Sequence, residues 1–271
     1  MNLKNVFFRM KRMLWICCLA VASLVLCRAQ VAGPNAVGVS MGHLHLNARD
    51  VDAQTLFWTA VAGARPAKLG TVDVLELPGV ILFINKKEPT GGTAGSVVDH
   101  VGLKVRDLKG TLAKAEAASI KILSSNEKQA MLLAPDDIKV ELTLDEAAAD
   151  AVAMHHIHFY TGDVENTRQW YVDLFGAIPG KRGPFEAADL PGVNLSFSKA
   201  SGPVVSTKGR ALDHIGFEVR GLEAFAKKLE ARGIHFDVPY REIPRLGLAI
   251  AFLTDPWGTY IELTEGLTKV H

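Results

Sequence analysis

One carboxylate in this 271-residue chain demands a chemical explanation. Glu262 lies in Tyr260-Ile-Glu-Leu-Thr264, a run of aromatic and β-branched residues that reads as a strand. Tyr260, Glu262 and Thr264 share one face of that strand. A carboxylate among apolar neighbours is costly to bury unless a cation or metal compensates it. The nine histidines supply candidate partners. His43, His100, His156 and His214 each open an apolar stretch, and the first three stand seven residues before Asp50, Asp107 and Asp163. The fourth has Gly221 at that spacing. His45 and His158 follow two residues after His43 and His156, hence on the same strand face. Imidazole together with carboxylate is the donor set of zinc and of non-haem iron sites. The competing reading of each histidine is a packed, hydrogen-bonded core residue, and His155, on the opposite face from His156, is read that way.

The elements that must position these groups recur. At an offset of 113, Met41-Gly-His43-Leu-His45 matches Met154-His-His156-Ile-His158, and Leu77-Pro-Gly-Val80 matches Leu190-Pro-Gly-Val193. At an offset of 114, Asp99-His-Val-Gly102 matches Asp213-His-Ile-Gly216, and late in each half Glu141-Leu-Thr143 echoes Glu262-Leu-Thr264. The chain is therefore a tandem duplication over 41–147 and 154–266, after a linker at 30–40. Each half divides again: a histidine-bearing strand, a helix, then further strands. Asn166–Phe175 is amphipathic and stops at Gly176, and 222–232 repeats the pattern before Gly233. Polar, glycine-containing linkers run from Pro89 to Ser96 and from Ala200 to Gly209. The Ala- and acid-rich junction from Asp145 to Ala153 reads as a short helical spacer.

The first 29 residues read as a secretory signal peptide: Lys4, Arg9, Lys11 and Arg12 precede an apolar run from Leu14 to Leu26, with small residues near Ala29. Cys27 raises a lipid anchor as the alternative. Cleavage would remove all three cysteines and five basic residues, leaving a mildly acidic, thiol-free chain. No basic run supports nucleic-acid binding, no membrane association is expected after cleavage, and the expected localisation is secreted or periplasmic. Without disulfides the fold must rest on its hydrophobic core.

Four βαβββ units, a histidine opening each, together with WYVDLFGA (170–177), DHIGFEV (213–219) and TDPWGTYIEL (254–263), resemble the vicinal oxygen chelate superfamily of glyoxalases, bleomycin resistance proteins and extradiol dioxygenases. The resemblance implies an α+β fold of two tandem domains, in which paired units curl into eight-stranded cups. It also implies a divalent metal, Fe(II), Mn, Ni or Zn, held by first-strand histidines and last-strand glutamates. Carried onto this sequence, the C-terminal set is His156, His214 and Glu262, and the N-terminal set is His43, His100 and Glu141. If the units pair crosswise, His43 instead joins His214 and Glu262, while His100 and Glu141 join His156. Two imidazoles and one carboxylate leave positions open for two neighbouring oxygens of a small substrate. His158, as acid or base, and Tyr260, as a substrate-orienting group, are the catalytic candidates.

The departures narrow the chemistry. Glyoxalase I enzymes draw a further ligand from the last strand of the first unit of each pair, but VILFINK (80–86) and VNLSFSK (193–199) carry no carboxylate. Ring-cleaving dioxygenases place a histidine and a tyrosine before the D-P-x-G turn, where this chain has Phe252 and no histidine from Arg241 to Asp255. The expectation is a dioxygenase-like or isomerase/lyase-like enzyme, with a metal-free binding protein of the bleomycin-resistance type as the alternative.

Overall fold

The computed structural model describes residues 31–270; the expected signal peptide and its cysteines lie outside them. Unit one comprises β1 (Val39–Ala48), α1 (Val51–Leu56, continued by a π-helical turn Phe57–Val61), β2 (Arg65–Leu69), β3 (Val72–Leu77) and β4 (Val80–Lys86). Unit two comprises β5 (Val98–Val105), α2 (Leu108–Ala117), β6 (Lys121–Ser125), β7 (Gln129–Ala134) and β8 (Ile138–Leu144). Unit three comprises β9 (Val152–Thr161), α3 (Val164–Phe175), β10 (Ile178–Arg182), β11 (Phe185–Leu190) and β12 (Val193–Lys199). Unit four comprises β13 (Leu212–Val219), α4 (Leu222–Ala231), β14 (Val238–Ile243), β15 (Leu248–Thr254) and β16 (Tyr260–Glu265). The fold is α+β, in four βαβββ units. Among the described residues, no helix is long and apolar enough to cross a membrane.

The seven-residue spacing from histidine to aspartate has a local cause. It spans the rest of the strand and ends at the helix N-cap, where the carboxylates of Asp50, Asp107 and Asp163 accept backbone N–H groups of the first turn. Gly221 brings no side chain to that task. Glu265 at the end of β16 takes it over, accepting from Gly221 N and Leu222 N at 2.8 and 3.0 Å. At its other end α3 stops on Gly176, whose φ of 65° is left-handed.

Two eight-stranded sheets result, and strand pairing crosses the halves. One runs β14-β15-β16-β13-β1-β4-β3-β2 and the other β10-β11-β12-β9-β5-β8-β7-β6. Units one and four thus build the first cup, and units two and three the second. The crossed arrangement is the one present, and neither 41–147 nor 154–266 supplies a whole cup by itself. The two linkers explain the exchange: they run side by side, with Val97 N bonded to Val205 O, Thr90 N to Gly209 O and Ala211 N to Gly91 O. The Arg210 guanidinium clamps them further, on Gly92 O and Ala94 O. The duplicated Pro-Gly turns lock the sheets reciprocally, Met41 N to Pro191 O at 2.9 Å and Met154 N to Pro78 O at 2.8 Å. The expected helical spacer is instead a tight turn in which Asp145 accepts from Ala147 N, because β9 already begins at Val152.

A shared apolar core joins the sheet faces turned away from the histidines, with Leu44 and Leu46 from one sheet, Ile157 and Phe159 from the other, and Trp58, Tyr171 and Phe175 from the helices between. A second, smaller cluster lies inside the first cup: Leu69, Val74 and Ile81 pack there with Leu267 and Val270 of the C-terminal segment. Among the described residues the second cup has no such plug, because the chain leaving β8 turns into β9.

Candidate metal centre

Each cup gathers the duplicated side chains at its floor through one close approach. In the pairing of β1 with β13, His43 lies opposite Gly216, and in that of β5 with β9, His156 lies opposite Gly102. A Cβ on either glycine would overlap the imidazole facing it. The glycine two residues after His100 and His214 is therefore the space into which the crossing unit's histidine fits.

In the first cup, His43 Nε2 and His214 Nε2 lie 3.0 and 2.9 Å from Glu262 Oε2. All three residues are buried, and His45 joins them in a group whose donor atoms lie within 4.8 Å of one another. Asp213 fixes the His214 ring, its Oδ2 2.7 Å from Nδ1, the carboxylate–histidine arrangement that orients metal ligands. Burial opposes ionisation of Glu262, yet the charge of His43 and the hydrogen bonds of His214 and His43 hold its carboxyl well below the usual range. Burial likewise opposes charging of His214, and the bonds to Asp213 and Glu262 outweigh it, raising that imidazole. Asp213 falls to about 2, its burial overcome by His214, Gly209 N–H and Asn47. His45 is lowered to about 3 by burial and then by His214 and His43, and its Nε2 lies 2.6 Å from Asn85 Nδ2.

The donor set fits a divalent ion. Neighbouring donors about 2.1 Å from an octahedral ion are about 3.0 Å apart, which the two observed separations match. Glu262 receives no hydrogen bond other than those from the two imidazoles, and the buried His43 Nδ1 and Thr264 Oγ1 have no partner among the described residues.

In the second cup, His100 Nε2 lies 3.3 Å from His156 Nε2 and 3.4 Å from Glu141 Oε2, and His156 Nε2 is 3.7 Å from Glu141 Oε1. Asp99 holds His100 Nδ1 at 2.8 Å, as Asp213 holds His214. The resemblance ends there. Thr143 Oγ1 and Gln129 Nε2 both donate to Glu141 Oε1, and Arg182 Nη1 stands 3.7 Å from the same oxygen. His158 has both ring nitrogens engaged, Nε2 with Ser198 Oγ at 2.8 Å and Nδ1 with Arg182 Nη2 at 3.4 Å. Burial, then Arg182 and the neighbouring imidazoles, lower His156 far below the ordinary imidazole value. His158 falls to about 4 through burial, His100 and Arg182. At an effective dielectric of about 20, unit charges about 4 Å apart interact by about 4 kcal/mol, and a dication doubles that repulsion from a guanidinium. His100, His156 and His158 still bring donor atoms within 4.8 Å of one another, but the guanidinium of Arg182 beside them opposes a divalent ion.

The structure thus redistributes the two sets taken from adjacent units: His156 belongs with His100 and Glu141, and His43 with His214 and Glu262. It also separates the two catalytic candidates. Tyr260 lines the first cup, its ring 5.5 Å from that of His214 and stacked on Phe252, while His158 is in the second. The imidazole in reach of the first ring is His45, the repeat counterpart of His158. Tyr260 is pushed up to about 12, by burial and then by Asp237, Asp213 and Glu262, so its hydroxyl stays protonated at neutral pH. His155 brings Nδ1 to 3.1 Å from His156 Nδ1 and is a supporting group of the second cup. Glu218, on the face of β13 that carries His214, is half-buried and accepts from Gly266 N and Leu267 N, tying down the segment that plugs the first cup. Arg182 and Asn85 were missed; the signal available was the offset comparison, which places Arg182 against Leu69. A cleft of about 800 Å³ opens at the rim beside Glu218, Tyr240 and Lys269 and includes none of the ring residues.

Residues 153–263 match the family model of the Glyoxalase/Bleomycin resistance protein/Dioxygenase superfamily. Glyoxalase I from Zea mays superposes with a TM-score of 0.68 at 16% identity, over 86% of this chain and 94% of that one. A candidate dioxygenase from Bacillus subtilis subsp. subtilis str. 168 superposes with a TM-score of 0.64 at 14% identity, over 87% of this chain and 86% of that one. At those identities the likeness is one of fold. No curated protein sequence matches the chain.

Proposed function

We propose that this chain, whose residues 153–263 match the model of the Glyoxalase/Bleomycin resistance protein/Dioxygenase superfamily, is an exported metal-dependent enzyme. It acts on a small molecule with two adjacent oxygens, in a dioxygenase-like or isomerase/lyase-like reaction. The observation carrying this reading is the convergence of His43 and His214 on Glu262 at 3.0 and 2.9 Å in a buried ring. Export rests on the sequence of the first 29 residues.

His43, His214 and Glu262 would hold the ion, of the Fe(II), Mn, Ni or Zn class, through Nε2, Nε2 and a carboxylate oxygen. A bound ion supplies Lewis acidity, stabilising negative charge as it develops on a substrate oxygen. The protein supplies the rest. Asp213 holds the His214 Nδ1 proton and aims Nε2 at the ring. His45 stays neutral, and accepting the Asn85 amide at Nε2 leaves its proton on Nδ1, where it can be donated to a substrate oxygen. Phe83, Phe252 and Tyr260 wall the ring with aromatic surface that excludes water and fits a flat substrate.

Those walls also favour the second reading, a metal-free protein that sequesters a ligand between aromatic rings. Elemental analysis of protein produced in metal-replete medium separates the two. The enzyme reading expects near-stoichiometric divalent metal, lost in His214→Ala; metal-free wild-type protein would leave the binding reading standing.

A further inference from the structure

The cups descend from one repeat and differ most sharply at a single position. Arg182 ends β10 and turns its guanidinium onto the floor of the second cup, Nε donating to Ser196 Oγ at 2.7 Å. The residue 113 positions earlier, Leu69, is buried in the apolar cluster of the first cup. A guanidinium keeps its charge at all relevant pH, so the second cup permanently contains a cation beside the carboxylate that would anchor an ion. Its neighbours are adapted to it. Glu141 spends lone pairs on Thr143 and Gln129, whereas the equivalent Thr264 makes no such bond to Glu262. His158 has both ring nitrogens engaged within the cup, Nδ1 3.4 Å from Arg182 Nη2 and Nε2 2.8 Å from Ser198 Oγ. Nη1 has no acceptor within hydrogen-bonding reach among the described residues, Glu141 being 3.7 Å away. Around it stand the Phe185 ring, 5.6 Å from the guanidinium carbon, and His158, stacked with Tyr160.

We propose that Arg182 takes the place of a metal in the second cup, so that the chain carries one divalent ion and the second cup binds a small planar carboxylate through the guanidinium. The proposal rests on the metal-centre reading of the first cup only for the identity of that one ion. A planar guanidinium meets a carboxylate with parallel N–H donors, and flat aromatic walls suit a flat acid.

The test is a metal count on the full mature chain after equilibration with Zn²⁺ or Mn²⁺ and removal of loose ions. The expected count is one in wild type and in His156→Ala, none in His214→Ala, and two in Arg182→Met, which keeps the side-chain length and removes the charge. A wild-type count of two, falling to one in His156→Ala, overturns the proposal, as does a count unchanged by Arg182→Met. No ion in wild type with one gained in Arg182→Met supports it while refuting the metal enzyme of the first cup. Benzoate is the carboxylate probe: titrated into ¹⁵N-labelled protein, it is expected to shift the Arg182 Nε–H resonance. A resonance unmoved at millimolar benzoate overturns the ligand assignment.

Discussion

In the first cup a buried carboxylate is met, among the described residues, by two imidazoles alone; in the second, its counterpart is met by two imidazoles, a threonine, a glutamine and a guanidinium. The scaffold beneath is the same to the level of backbone exchanges, the Asp–His pairs and the glycines that admit each crossing histidine. The difference teaches that duplication preserves donors more readily than it preserves their need for an ion. In the second cup a charge arriving from an edge strand stands 3.7 Å from the carboxylate, where the first cup has none.

The largest effect that would break this comparison is on metal. Glu262→Gln should cost more than the roughly 10–100-fold in affinity typical of losing an outer-sphere partner, whereas Glu141→Gln should leave the metal content unchanged. Isothermal titration with Zn²⁺ reads both, and equal losses in the two variants would erase the distinction between the cups.

The plug comes next. Leu267 is 1% exposed and packs inside the first cup with Leu69 and Ile81. Truncation of a buried leucine to alanine costs about 2–5 kcal/mol, so Leu267→Ala should lower the denaturant midpoint markedly. A change below about 0.5 kcal/mol, the usual range for surface sites, would show that the segment does not fill the cup.

Glu218 makes the tie to the first cup's plug pH-dependent, and the residue at the repeat offset of 114 is Lys104. Burial, reinforced by Glu265, raises Glu218 to about 7 against the pull of Gly266 N–H, Leu267 N–H and Lys269. With the folded value above the unfolded one, its stabilising contribution is complete below pH 4.5 and is lost as pH rises through 7. The loss is about 3 kcal/mol. Glu218→Gln should flatten the stability profile over that window, and a profile identical to wild type would remove Glu218 as its source.

Much of this was legible in the chain. Matched histidines, repeated Pro-Gly turns and the Asp-Pro-Trp-Gly turn announced four similar units, because each feature is set by local backbone geometry. Strand partnership was not legible, since β1 and β13 meet across some 170 residues of sequence and their pairing is decided by how two linkers run together. The chemistry of Arg182 was hidden for a related reason. A lone basic residue at a strand end acquires meaning only when the carboxylate opposite is known to come from another unit.

The smallest expected effect concerns the closing turns. Tyr171 Oη donates to buried Asp255 Oδ2 at 2.8 Å, linking unit three to the turn of unit four. Its repeat counterpart Trp58 acts at one remove, donating to Gln54, whose amide reaches Pro135 O of the second-cup turn at 2.8 Å. Tyr171→Phe should cost about 1–3 kcal/mol by stranding Asp255, measured by equilibrium unfolding. A neutral result would mean the carboxyl is satisfied by its backbone bonds alone.

The most direct examination of the central claim is an anomalous-scattering map from crystals loaded with Zn²⁺ or Mn²⁺. The account predicts one strong peak per chain, about 2.0–2.2 Å from His43 Nε2, His214 Nε2 and a Glu262 oxygen. A map with no peak there, or with its only peak among His100, His156 and Glu141, would contradict it.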